Sequence, residues 1–133
     1  MGSHPEYKNV FEAAKNNDLE AVKYFVDQKP TILWQTDEDE KSVAMLAAMN
    51  NDFPMLRFVL ETDNSRLFNG DMFGNNIIQR MIEHDNLDVV KYLIEQQNWP
   101  IHRRNNRYFG NTPVHHAAEE GKLEILKYLI EEK

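Results

Sequence analysis

The chain reads as an all-α solenoid of stacked helix-turn-helix units, and three observations predict it. Asn86-Leu87-Asp88-Val89-Val90-Lys91-Tyr92-Leu93-Ile94-Glu95 returns as Lys122-Leu123-Glu124-Ile125-Leu126-Lys127-Tyr128-Leu129-Ile130-Glu131, 123 − 87 = 36 residues later. The same apolar pattern runs backward in steps of 34, to Phe53, Met55, Leu56, Phe58, Val59 and Leu60, and then to Leu19, Val22, Tyr24, Phe25 and Val26. A small pair precedes it at Ala13-Ala14, Ala47-Ala48 and Ala117-Ala118. Repetition at such a period marks supersecondary units that bury their apolar faces only by stacking, and such arrays present extended binding surfaces.

Taken in order, the first of each pair, the inner helices, are expected near Glu6–Lys15, Ser42–Met49, Asn76–Glu83 and Thr112–Glu120. Thr112, Asn76 and Ser42 are residues that cap helices, and Pro113 falls at a first helical position, where its missing N–H costs little. The outer helices are expected near Leu19–Gln28, Phe53–Glu61, Leu87–Gln96 and Leu123–Glu132. Between inner and outer helices stand Asn17, Asn51, Asp85 and Gly121, residues that tolerate the left-handed conformation of a tight turn. In the third unit Met81-Ile82 replaces the small pair. That repeat is the expected weak link, and Met81→Ala is expected to be tolerated better than Ala47→Met, which overpacks a close helix contact.

The run Gly110-Asn111-Thr112-Pro113-Val114-His115-His116-Ala117-Ala118-Glu119-Glu120-Gly121-Lys122-Leu123-Glu124-Ile125 closely resembles the ankyrin repeat, with capping, small-residue and apolar positions all in register. The resemblance implies an ankyrin-repeat solenoid with hairpin loops between units. Its repeats fall at about 5–37, 38–71, 72–106 and 107–133, after a vector scar at 1–4. It also gives His115 a structural hydrogen-bonding role. The third hairpin loop, from Asn98 to Phe109, is longer than usual for the family, as the 36-residue offset requires.

Bulk properties narrow the function. Hydrophobic residues are 41% and charged residues 28%, a soluble balance. No apolar run reaches the ~20 residues of a membrane span, so no membrane insertion is expected. There is no cysteine, which removes disulfides and thiolate metal sites and fits a cytoplasmic or other reducing compartment. A net charge of −7 argues against the whole chain tracking a phosphate backbone. No nucleophile elbow, phosphate-binding loop or dinucleotide fingerprint occurs, so no enzyme and no cofactor is expected. His115/Glu119 and His116/Glu120 have the i, i+4 spacing of metal ligands, but no third ligand is placed by the sequence.

The expected function is a non-catalytic, monomeric protein–protein interaction module, recognising an unidentified protein or peptide on its concave face. By resemblance, the partner lies across repeats two to four. Its anchors are Met72 with Phe73 and Tyr108 with Phe109, equivalent pairs 36 residues apart, of residue types common at hot spots. Around them on the hairpin loops are Glu38, Asp39, Lys41, Asn75, Arg107 and Asn111. On the inner helices are Met49, Asn50, Arg80, Glu83, His84, His116, Glu119 and Glu120. The alternatives are a phosphate, nucleic-acid or acidic-ligand reader acting through Arg103, Arg104 and Arg107, and the targeting arm of a larger enzyme or effector. Nucleic acid is the less expected partner. The acidic run Asp37-Glu38-Asp39-Glu40 reads as a solvated loop, and Trp34, Trp99 and the stripe Tyr24, Phe58, Tyr92, Tyr128 read as packing. Because the last repeat has an internal-repeat sequence, the natural protein is expected to continue past Lys133.

Overall fold

The computed structural model describes residues 7–68, 70, 72, 75–100 and 112–131. Among them every regular element is helical. The chain divides into two compact units, Met1–Met72 and Phe73–Lys133. The first holds α1 (Val10–Lys15), α2 (Leu19–Gln28), a 3₁₀ turn (Pro30–Trp34), α3 (Val43–Met49) and α4 (Phe53–Thr62). The second holds α5 (Ile77–Glu83), α6 (Leu87–Glu95), α7 (Pro113–Glu120) and α8 (Leu123–Glu131).

Each helix pair is joined by the same two-residue device. Asn17, Asn51, Asp85 and Gly121 have φ of 58°, 55°, 58° and 71°, the left-handed turn expected of them. In the first pair the Asn17 N–H donates to the Ala14 carbonyl at 3.0 Å, and the Asp18 N–H to the Ala13 carbonyl at 3.0 Å. This double bond closes the orphan carbonyls of the helix end, and the small pair supplies both acceptors. The second residue of the device caps the next helix. Asp18, Asp52 and Asn86 accept from the N–H of Ala21, Met55 and Val89. These three caps, spaced by 34, were legible as the dipeptides Asn17-Asp18, Asn51-Asp52 and Asp85-Asn86, yet only their first members stood out in the sequence.

The inner-helix caps Ser42, Asn76 and Thr112 accept as expected from the N–H of Met45, Gln79 and His115. In the first unit Asn9 takes this role by accepting from Glu12, so α1 begins at Val10. The start expected near Glu6 is therefore too early, since Tyr7, Lys8 and Asn9 are not helical; Glu6 itself lies outside the described residues. The 3₁₀ turn was not foreseen; Pro30 opens it and Leu33 buries beneath it.

Within the first unit α1 packs on α2 and α3, and α3 on α4; within the second, α5 packs on α6 and α7, and α8 on α6 and α7. All six residues from Val43 to Ala48 are buried, as are Met55, Leu56, Val59 and Leu60 of α4. Each large side chain so removed from water contributes about 1.5–3 kcal/mol. Met81 and Ile82 are both 0% exposed. The third repeat therefore fills with large side chains the space its neighbours fill with alanine, and Met81→Ala would open a cavity worth about 2–5 kcal/mol. Both variants are therefore expected to be costly, Met81→Ala through that cavity and Ala47→Met through overpacking of about 1–3 kcal/mol, so the order expected from the sequence no longer follows.

The aromatic stripe packs between repeats. Lys23 Nζ lies 5.6 Å from the ring centre of Phe58, and Lys91 Nζ 5.4 Å from that of Tyr128. The Tyr128 hydroxyl donates to Glu95 at 2.6 Å. Trp99 is 2% exposed, and Trp34 donates its indole N–H to the Asp63 carbonyl at the end of α4.

Candidate partner-binding surface

In the first unit the hairpin loop before α3 is knit by one carboxylate. Asp37 accepts from the N–H of Asp39 and of Lys41 at 2.9 and 3.0 Å. Its own N–H donates to the Lys41 carbonyl, and Glu40 takes a left-handed φ of 63° to close the turn. The acidic run is thus divided: Asp37 builds the loop, whereas Glu38 and Glu40 are exposed. Asp39 is half-buried, and its carbonyl accepts from the Met72 N–H at 3.0 Å. That bond ties the segment at Met72 to the tip of the preceding loop, and Met72 stays 39% exposed.

Two expected contact residues of this unit are absorbed by the fold. Lys41 is only 8% exposed, with its ammonium 3.7 Å from Asp39. Its charge is therefore directed into the loop and withdrawn from the surface. Asn50 is exposed, but its amide donates to the Ala14 and Lys15 carbonyls at the end of α1. Met49 is half-buried.

In the second unit the inner helices carry a charged row. Arg80 donates to Glu83 at 3.1 Å, one turn along α5. The other oxygen of Glu83 lies 3.2 Å from Nε2 of His116 on α7. The hydrogen bond from His116 and the charge of Arg80 hold the Glu83 carboxyl below its usual value, against burial, which pushes it up. His84, Glu119 and Glu120 are exposed beside this row, and Asn75 accepts from the Gln79 amide. His115 is a capping residue: its Nδ1 accepts from the Thr112 N–H at 3.2 Å while Thr112 caps it in return. Among the described residues no group of three or more His, Asp or Glu could hold a metal ion.

Phe73, Arg103, Arg104, Arg107, Tyr108, Phe109 and Asn111 lie outside the described residues. The surface is thus described as two patches, each within its own unit: the tip formed by Glu38, Asp39 and Met72, and the row from Arg80 to Glu120. The sequence reading missed Leu123 and Ile130, 73% and 52% exposed on α8. Their apolar spacing was visible, but their equivalents Leu87 and Ile94 on α6 are half-buried.

A family model described as ankyrin repeats in three copies matches residues 10–101 and 44–133. Among curated proteins, the chain is 25% identical over 88 residues to ankyrin repeat and SAM domain-containing protein 6 of Rattus norvegicus, covering 66% of this chain and 10% of the relative. It is 30% identical over 106 residues to BTB/POZ domain-containing protein 3 of Schizosaccharomyces pombe, covering 73% of this chain and 20% of the relative. It thus spans a fifth or less of the length of these relatives. Among solved structures, a chain in the crystal structure of the yeast ribosomal protein Rps3 in complex with its chaperone Yar1 superposes with a TM-score of 0.79 at 23% identity, covering 93% of this chain and 90% of that one. No helix of the described residues is long and apolar enough to cross a membrane.

Proposed function

The chain belongs to the ankyrin repeat family, and from that premise we propose that it is a non-catalytic module that holds a protein or peptide on its loop tips and inner helices. The observation that carries the reading is the tip at Met72. A 39% exposed methionine is fixed through its backbone to the Asp39 carbonyl, with exposed Glu38 alongside. A thioether on a braced backbone is an adaptable apolar anchor, and a neighbouring carboxylate gives it a polar rim. Within the second unit, His84, His116, Glu119 and Glu120 supply a separate row of hydrogen-bonding groups on the inner helices. The structural neighbour that holds a ribosomal protein is consistent with this class of function.

The test is a pull-down with this domain as bait beside two variants, Met72→Glu at the tip and Lys23→Glu on an outer helix. Proteins retained by the wild type should be lost by the tip variant and kept by the other. Equal retention by all three would place the binding elsewhere. A partner engaged through apolar contact should change little between low and physiological salt, whereas a phosphate-bearing ligand would be released steeply.

A further inference from the structure

The chain has six methionines and no cysteine, so its reactive sulfur is thioether and never thiol. The fold grades these methionines sharply. Met55 and Met81 are 0% exposed and Met45 is 2%. Met49 is half-buried, and Met1 lies outside the described residues. Among the described residues Met72 is the exposed methionine, at 39%. A peroxide has to reach sulfur to oxidise it. Met45, Met55 and Met81 therefore react only when the core opens, whereas Met72 reacts in the folded protein. Its backbone N–H, not its sulfur, donates to the Asp39 carbonyl at 3.0 Å, so the sulfur can change chemically without releasing that bond.

We propose that Met72 is an oxidation site, and that its sulfoxide switches the loop tip off as a docking surface. The switch rests on the function proposed above, in which this side chain is the apolar anchor. In the oxidation a sulfur lone pair attacks one oxygen of hydrogen peroxide and the O–O bond breaks. That oxygen stays on sulfur, its proton passes to the departing hydroxide, and water leaves. Sulfur gives up two electrons and the peroxide takes them. The product puts a polar hydrogen-bond acceptor where a soft apolar group stood. A partner pocket shaped for a thioether buries that acceptor without a donor, which costs binding energy. A dithiol reductase reverses the step: its two thiols become a disulfide, and the sulfoxide oxygen leaves as water.

The site is tested by treating the whole chain with dilute hydrogen peroxide and following each methionine by peptide mass spectrometry, which keeps Met1 separate. Met72 should take up oxygen at least about tenfold faster than Met45, Met55 and Met81, which wait on opening of the core. The melting temperature should not change, and methionine sulfoxide reductase with dithiothreitol should remove the oxygen. Equal rates, or a slow Met72, overturn the site. The switch is tested by pull-down with untreated and peroxide-treated baits of the wild type, Met72→Leu and Met72→Glu. Treated wild type should retain its proteins about tenfold less well than untreated, the scale of one buried acceptor left unpaired, and should recover after the reductase. Met72→Leu, apolar but without sulfur, should retain them before and after peroxide; loss on treating this variant places the effect at another residue and overturns the switch. Undiminished retention by the treated wild type, with Met72→Glu still failing to bind, overturns the switch and leaves the docking tip standing. If Met72→Glu retains the same proteins, the tip is no docking site and the switch falls with it.

Discussion

Asp85 holds a left-handed conformation at φ 58°, where an alanine methyl is strained by about 1–2 kcal/mol and glycine is not. Urea unfolding should show Asp85→Ala less stable than the parent by about 1 kcal/mol, and Asp85→Gly equal or better. The charged row gives a second expectation at this scale. Glu83 has its folded pKa held below 4.5, so its contribution is present above the unfolded value and is lost as pH falls through the folded one. The stability gap between the parent and Glu83→Gln, by up to about 1 kcal/mol, should be full at neutral pH and shrink steadily below pH 4.5. A gap that widened in acid would contradict the assigned pairing with His116 and Arg80.

The helices themselves were legible because most of their stops and starts are local chemical events. α2 runs from Leu19 to Gln28, as its apolar pattern implies. The positive-φ turns follow from the intrinsic tolerance of Asn, Asp and Gly. What the pattern could not reveal was how side chains are spent: the Lys41 ammonium turns back to Asp39 because of how its own loop folds, and the Asn50 amide turns to the end of α1, 36 residues away in sequence. Likewise Met81 looked like an intruder among alanines, and only its complete burial shows that the third repeat uses its volume. One outer helix departs from the capping rule. α8 follows Lys122, which offers no acceptor where α2, α4 and α6 have Asp18, Asp52 and Asn86. Lys122→Asp should therefore raise stability by about 1 kcal/mol, while Asp52→Ala should lower it by a similar amount; chemical denaturation of the two variants checks both signs.

At the scale of the whole molecule, a net charge of −7 keeps copies apart at neutral pH, and the sequence isoelectric point is about 5.2. Light scattering against pH should rise near that point, where repulsion vanishes. The paired turn-and-cap residues have a further consequence. Since Asn17-Asp18, Asn51-Asp52 and Asp85-Asn86 each end one helix and begin the next with their own atoms, a junction cut there carries its full instructions with it. A gene segment running from one such dipeptide to the next can be duplicated, deleted or transplanted without composing a new connection. The chain is thereby suited to change length by whole units without the surviving turns being redesigned.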